Sequence, residues 1–582
     1  MEYKNNLLAA SNTACIASFL GINRRVRTSK GEFSDMENLC HEEYPCIQSM
    51  KSAKDMEFDL PDGVEAVKMI FPKRLNDEIT GFSGVVFNNN IRQYEIYVNG
   101  VSKRNDISKF TDAVDYNGSI ITLPELKGVN YMAKGSAENS VDMYRLYPYI
   151  RFYNNYTGET KDTISPQLYI SGSADSNGGY PYSWYEKTFC ANFKVGDEII
   201  LYGLSGNFEG NNTIYPESST DYTNTKSPVS ITIKSIRTAG SSSDVIVILT
   251  VEIRNSKGDI IGWAKGSGSS ASSDGITDYT FGTIMKKTPR STYGCVAHNR
   301  LWVCSENGEE ILASAVGTPM EFYKLQGISS DSWIATTGTP GKFTGIAPWQ
   351  NRVVVFKPDI IHVVYGNLPS NFGIEKTYAA GCIDSKSIAE AGGMLIWLYY
   401  DGFYAYSGSR PKRISDKLRT KYISCKAFSD GRRYYARCIK EDGRGEFLIF
   451  DTELSLWSKI SDIDVVTGDY FGGNVYVCDK TKIYCLQSGE YGDFYAETPE
   501  LTFESFDDKS IVYATVRCKI SDGFLNLYTS TNNGEWVPHK GIDKTGKHKL
   551  PVRYAPGDIL RLRLEGHGNV CITEIKLDIL TK

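Results

Sequence analysis

Five stretches of this chain repeat one design, an apolar β-run, a polar turn and a second apolar β-run. They read RLWVCSENGEEILAS from Arg300, RVVVFKPDIIHVVYG from Arg352, MLIWLYYDGFYAYSG from Met394, RYYARCIKEDGRGEFLIFDT from Arg433 and NVYVCDKTKIYCLQS from Asn474. Their turn residues Asn307, Asp359, Asp401, Asp442 and Asp479 are spaced by 52, 42, 41 and 37 residues. One more strand-like run precedes each of the first four hairpins (YGCVAH, FTGIAP, SIAEAG, SCKAFS), and a fourth run such as EFYKL, FGIEKT or SLWSKI follows several. Four strands in every 40 to 50 residues or so is the arithmetic of a β-propeller blade. One four-stranded sheet cannot bury both of its faces, whereas sheets stacked on one another bury them and leave only short edges. A run of hairpins in β-sandwiches gives similar turn spacing. The constant order of strand and turn over five units favours blades.

An earlier stretch, FSGVVFNNNIRQYEIYVNG from Phe82 to Gly100, has the same form, with SIITLP and RLYPYIRFYNN behind it. One or two further blades are expected between Val64 and Asn155, for six or seven in all. From about Thr160 to Thr288 the pattern changes. FKVGDEIILYG, VSITIKSI and DVIVILTVEI predict a small barrel or sandwich inserted in a propeller loop, with GSGSSASSDG (Gly266 to Gly275) as a flexible return. Beyond Thr498 the alternating runs SIVYATVRCKI, FLNLYTSTNNGEWV, ILRLRLEG and VCITEIKLDIL predict an antiparallel sandwich. The expected organisation is an extended N-terminal arm over 1–60, first blades over 61–158, an inserted β-domain over 159–288, remaining blades over 289–495 and a C-terminal β-sandwich over 496–582.

Composition supports an all-β reading. The 582 residues exceed what one core serves, and 38 Tyr with 53 Gly suit short strands and tight turns. A formal net charge of −5 with interspersed signs argues against a general affinity for nucleic acid or anionic membranes. The 13 cysteines form no CxxC pair and several fall mid-strand, which predicts buried thiols in a chain assembled in a reducing cytoplasm. MEYKNNLLAASNTACIASFLGINRR has no clean apolar block, so no signal peptide is expected, and no apolar run reaches the length of a membrane span.

Motifs for chemistry do not assemble. In GTPGKFTG, Thr336 stands where a phosphate loop needs its first Gly, and Phe343 where it needs Ser or Thr. His539, His548 and His567 share the C-terminal region without metal-ligand spacing. Two patches are candidates for interaction. Tyr180, Tyr182, Trp184 and Tyr185 in the insertion could stack on sugar rings, form a subunit contact, or pack on their own domain. Arg410, Lys412, Arg413 and Lys417, continued by Arg419 and Lys421, could touch DNA phosphates if they faced a channel, or form solvated turns and inter-blade ion pairs.

Several strings point further. GKFTGIAPWQNRVVVFKPDIIHVVYGNLPSNFGIEKT, LIWLYYDGFYAYSGSRPKRISDKL, FLGINRRVRTSKGEFSDMENLCHEEYPCIQSM and NRLWVCSENGEEILASAVGTPMEFYKL occur here with the closing DILRLRLEGHGNVCITEIKLDIL. Together they resemble structural proteins from the tail and head-tail modules of phages and prophages of Gram-positive bacteria, over nearly the whole chain. The resemblance implies a virion structural protein. By analogy with propeller-bearing nozzle and stabilisation proteins of short-tailed phages, it would form a homo-oligomeric ring, a hexamer being favoured, at the neck or tail tip. Its partners would be other tail and neck proteins and, transiently, phage DNA. No catalytic residue, metal or cofactor is expected. The alternatives are a receptor- or glycan-binding tail protein and, behind it, a polysaccharide depolymerase.

Overall fold

The computed structural model describes residues 11–26, 28–57, 64–75, 78–98, 101–130, 140–142, 145–146, 149–156, 164–171, 189–190, 193–202, 230–240, 246–254, 260–261, 275–281, 283–325, 327–503, 505–552 and 556–581. The regular elements there are strands, apart from a 3-10 turn at Ser385–Ser387 and a helical pair at 189–190. The aromatic cluster Tyr180, Tyr182, Trp184 and Tyr185 lies outside the described residues, as does most of the connector read over 266–275.

The strands form seven four-stranded and two nine-stranded sheets among the described residues. The chain divides into two compact units, one of residues 1–109, 341–364 and 375–582, the other of 110–340 and 365–374.

In the first unit every predicted hairpin is the centre of a four-stranded antiparallel sheet. Arg352–Phe356 pairs with Ile360–Tyr365, Met394–Tyr399 with Gly402–Tyr406, Arg433–Lys440 with Gly445–Asp451, and Asn474–Cys478 with Ile483–Cys485. The earlier hairpin, Glu78–Asn88 with Gln93–Val98, is flanked by Val64–Leu75 and Val101–Ile107. The first strands of successive sheets touch in order, Ala389–Ala391 on Tyr422–Ser429, that on Thr467–Phe471, and that on Val64–Leu75.

Side-chain alternation explains why these strands read as continuous apolar runs. Leu395 and Trp397 pack with Val354, Phe356 and Ile361 of the preceding sheet, whereas Ile396 and Leu398 pack with Tyr434, Leu448 and Phe450 of the next. Phe447 and Ile449, one residue out of step with Leu448 and Phe450, turn to Val475 and Val477. Tyr476, Cys478 and Ile483 then meet Val67, Phe82 and Tyr97. Successive residues face opposite sides of a pleated strand, so a sheet covered on both faces needs apolar residues at every position.

The N-terminal segment departs from expectation. The sequence predicts an extended arm with little core of its own over 1–60. The structure instead builds it into two sheets. Ser11–Ile16 pairs with Ile575–Leu580, Asp35–Glu37 with Tyr495–Glu497, and Ile47–Ser49 with Cys571 and Ile572 through its first two residues. Lys54–Asp55 is the fourth strand of the sheet begun by Thr467–Phe471. Phe19, Ile22, Phe33, Met36, Leu39 and Ile47 are all buried in one cluster with Phe403, Trp457, Leu525 and Ile572. Asn and Ser between those apolar residues hide a pattern that only a partner sheet completes.

The C-terminal residues form one nine-stranded sheet with these N-terminal strands. Its spine is Lys509–Thr531 against Leu560–Thr581, paired along nearly their whole lengths with register shifts at 511/513, 517/518 and 520/522. At the last bulge Gly523 has φ +103°, and a Cβ there would collide with the His567 carbonyl oxygen.

In the second unit, Phe110–Tyr116, Ser119–Pro124, Lys127–Asn130 and Ser140–Asp142 form one four-stranded sheet, and Ser291–Ala297, Arg300–Ser305, Glu310–Ala313 and Trp333–Thr336 another. Val114, Ile121 and Leu123 of the first pack on Leu301, Val303 and Leu312 of the second. A nine-stranded sheet runs from Arg145–Leu146 to Thr283–Lys286. It starts earlier than the expected boundary at 159. Tyr149–Tyr156, read in the sequence as part of the first blades, pairs with Ile164–Ser171 inside this sheet.

Candidate functional site

The most elaborated polar constellation of the first unit joins the N-terminal segment to the sheet of Arg433–Lys440. Its centre is Glu446, 3% exposed, on the strand Gly445–Asp451. Arg24 reaches it through both terminal nitrogens, Nη2 to Oε1 and Nη1 to Oε2 at 3.4 Å. Lys440 Nζ lies 2.7 Å from the same carboxylate, and the Tyr422 hydroxyl donates to it at 3.3 Å. Arg24 also sits 3.4 Å from Asp35, which accepts from Tyr495 Oη at 2.6 Å and pairs with Lys459 at 2.8 Å. Lys459 continues to Glu37 at 3.3 Å.

The chain folds this way locally because three successive backbone N–H groups ending at Arg24 are anchored to other segments. Ile22 N–H donates to Trp457 O, Asn23 N–H to Phe33 O, and Arg24 N–H to Lys417 O, at 2.7 to 2.8 Å.

Burial works against the charges of Arg24, Glu446 and Asp35, and pairing overcomes it. Burial pulls the Arg24 guanidinium down, but the charge and hydrogen bonds of Glu446 hold it above its ordinary value. Burial pushes Glu446 up, yet Arg24 and Lys440 keep it below the usual carboxylate range. Asp35 is likewise held low, against burial, by Lys459 and Tyr495. Losing one partner would leave a buried charge uncompensated.

Above this network lies an open hollow of about 590 Å³, lined by Arg24, Asp35, Arg419, Thr420, Lys421, Lys440, Glu441, Asp442 and Arg444. Five cations face three carboxylates there. Two of the cations, Lys421 on Glu441 at 3.6 Å and Arg444 on Asp442, hold exposed pairs of the weakly stabilising kind. Arg419 has φ +53°, an uncommon conformation for a side chain of its size.

The basic run expected from the sequence is therefore split. Arg419 and Lys421 line the hollow. Arg410, Lys412 and Arg413 do not. They are exposed, the latter two forming the edge strand Lys412–Arg413, and Arg413 pairs with Asp401 at 3.6 Å and Asp416 at 3.4 Å. Lys417 turns to Glu32 of the N-terminal segment at 3.1 Å. Arg24, Asp35, Lys440 and Glu446 were invisible to sequence reasoning, since their spacing carries no motif. The strings that contain them, FLGINRRVRTSKGEFSDMENLCHEEYPCIQSM for Arg24 and Asp35 and RYYARCIKEDGRGEFLIFDT for Lys440 and Glu446, were singled out for resemblance and for strand pattern, not for charge.

The three histidines considered for a metal each find a different partner. His539 Nε2 meets Thr529 Oγ1 at 2.7 Å, His548 Nε2 donates to Lys544 O at 2.7 Å, and His567 Nδ1 meets Asp493 Oδ1 at 2.9 Å. Among the described residues no group of three or more His, Cys, Asp or Glu is placed to hold a metal.

The second unit carries its own hollow, about 440 Å³, with Leu325, Ile328, Trp333, Ile334, Pro369 and Asp331 among its lining residues. A fully buried Arg300 organises it. Its Nη1 donates to Ser314 O at 2.7 Å and to Asp331 O, its Nη2 to Ser329 O at 2.8 Å, and it lies over the Phe372 ring. Trp333 packs on Trp302 and Phe372, with ring centroids 5.7 and 5.4 Å away.

No family model matches the chain, and no curated protein matches it. Among solved structures, U3-55K and the RRP9 WD40 repeats each align at 7% identity and TM-score 0.24, covering 40% of this chain and 73% of theirs. Hsv2 of Kluyvelomyces marxianus aligns at 10% identity and TM-score 0.21, over 44% of this chain and 89% of its own.

Proposed function

We propose that this chain is a structural component of a phage virion. Its four-stranded sheets are blades of a six- or seven-bladed propeller, and the subunit belongs to a homo-oligomeric ring, a hexamer being favoured, at the neck or tail-tip nozzle. The ring stabilises the particle and lines or closes the DNA channel. Its work is mechanical, and the reading assigns catalysis to no residue.

One observation carries the reading, namely that the two ends of the chain are sewn together. The N-terminal segment completes the sheet of Thr467–Phe471 with Lys54–Asp55 and adds four strands to the C-terminal sheet, Leu39–Cys40 pairing with Ile47–Ser49 as the fourth. A load that pulls on either end then has to shear many ladder hydrogen bonds at once. The resemblance to phage tail and head-tail proteins supplies the particle. The cation-rich hollow at Arg419, Lys421 and Arg444 supplies a surface for transient contact with DNA phosphates. Among the described residues no helix is long and apolar enough to cross a membrane.

The test is gold-labelled antibody on intact particles from an induced lysate, viewed by negative-stain electron microscopy. Label at the neck or axial tail tip supports the ring. Particles without label, with the protein left in the soluble lysate, sink it. A second reading, a receptor- or glycan-binding tail protein, is favoured by the hollow at Trp333, where an aromatic side chain lies beside Leu325 and Ile328, 61% and 51% exposed. Label on peripheral fibres, with glycan-array binding by the whole chain that a Trp333→Ala variant loses, would move the assignment there.

A further inference from the structure

All 13 cysteines are free thiols, and ten of them are buried. Cys46 is partly open and lies where the N-terminal segment meets the last strand of the chain. It closes a turn through its N–H to Glu43 O at 2.9 Å, and the next two residues enter the sheet as Ile47 opposite Ile572 and Gln48 opposite Cys571. Cys571 is thus held between Gln48 on one side and Lys519 on the other. Its Sγ lies 3.8 Å from Glu43 Oε2, and Glu43 is the residue whose carbonyl takes the Cys46 N–H, so the turn that carries Cys46 sits against Cys571. The seam opens to solvent, because Glu43 and Lys519 beside it are 56% and 68% exposed.

We propose that Cys46 and Cys571 are an oxidative cross-linking site, which a small-molecule disulfide converts into a covalent clasp between the two ends of the chain. The chemistry is ordinary thiol–disulfide exchange. The more open Cys46 attacks one sulfur of the small disulfide as its thiolate, and the S–S bond breaks to release one small thiol. Cys571 then attacks the Cys46 sulfur of the mixed disulfide, releasing the second small thiol. The two protein thiols are oxidised, the small disulfide is reduced, and their two protons pass to the departing thiolates. Burial pushes the Cys571 thiol up to about 12, with Cys46 and Glu43 adding to it, so resolution is the slow step.

Proximity by itself does not select the pair. Cys425 and Cys438 are opposite each other in register with Sγ atoms 3.7 Å apart, but both are sealed in the core, where burial holds the Cys438 thiol protonated. The clasp reinforces the seam made by Ile47–Ser49. A chain made in a reducing cytoplasm would acquire it on release into an oxidising medium. The inference rests on the strand register and is independent of the virion reading.

The test is to treat the full-length reduced protein with glutathione disulfide, trap free thiols, and map disulfide-linked peptides by mass spectrometry. The expected product joins the peptides of Cys46 and Cys571. Amides of Ile47–Ser49 should exchange about tenfold or more slowly in the oxidised form, a difference absent from both Cys46→Ser and Cys571→Ala. A lasting single glutathione adduct on Cys46, a link through Cys15, or a Cys425–Cys438 bond without the Cys46–Cys571 one would each overturn the proposal.

Discussion

Replacing Arg24 by Ala should open the N-terminal segment while leaving the stacked sheets intact. Among the described residues of that segment Arg24 alone reaches Glu446, a carboxylate whose side chain is 2% exposed. Removing one member of a buried ion pair costs about 3 to 5 kcal/mol, because the other charge stays buried. Here the lower end applies, since Lys440 and Tyr422 remain on Glu446 and Lys459 remains on Asp35. At roughly 1.4 kcal/mol per decade, about 3 kcal/mol is on the order of a hundredfold in the opening equilibrium. Hydrogen exchange read by mass spectrometry on peptides spanning 11–55 measures that opening directly. The comparison is Arg413→Ala, whose partners Asp401 and Asp416 are themselves about half exposed or more, and which should change protection by no more than about twofold. If Arg24→Ala exchanges like wild type over 11–55, the network does not hold the segment, and the argument from buried charge fails.

The same junction should loosen in acid. Burial lowers His41 to about 4, with Asp451 and Arg433 as the charges facing it, so the unfolded chain takes up a proton near pH 6.5 that the folded chain refuses. Stability at this site therefore falls as pH drops from about 6.5 to about 4, by about 3 kcal/mol in total. Glu446 and Asp35, both held below their ordinary values, contribute stability that is present above the usual carboxylate pKa and lost below it. Exchange at 11–55 should accelerate from near pH 6 downward, and His41→Gln should delay the onset; a flat profile to pH 4 would contradict the assignment. Gly523→Ala places a Cβ against the His567 carbonyl at φ +103° and should destabilise the C-terminal sheet by about 2 kcal/mol or more, seen as faster exchange in Ser510–Ile520. Trp397→Ala empties a fully buried site between two stacked sheets and removes the Trp397 Nε1–H bond to Gly381 O, for a loss of about 3 to 5 kcal/mol in denaturant unfolding. Arg419→Glu with Lys421→Glu should weaken retention of duplex DNA on filters and flatten its salt dependence by about two in the log–log slope; unchanged retention removes the hollow from the DNA contact.

What the chain's own order of residues determined is the repeating hairpin. Runs such as LIWLYY and RVVVF, broken by Asp-Gly or Pro-Asp turns, read as paired strands with apolar residues on both faces, so the hairpin unit was legible in the sequence. Turn chemistry and side-chain alternation are local, and local preferences survive in the sequence. The N-terminal segment is hard to read for the opposite reason. Its apolar residues Phe19, Ile22, Phe33 and Met36 follow no period of their own, because their spacing answers to the surfaces of Trp457 and the C-terminal sheet. Tyr149–Tyr156 has strand propensity in either setting, and only its partner Ile164–Ser171 decides that it joins the nine-stranded sheet of the second unit. The charged junction lay furthest from view. Arg24 and Glu446 are 422 residues apart, and a carboxylate is an ordinary surface residue until tertiary packing removes its water. Desolvation belongs to the folded chain alone, so the site it creates could be found only there.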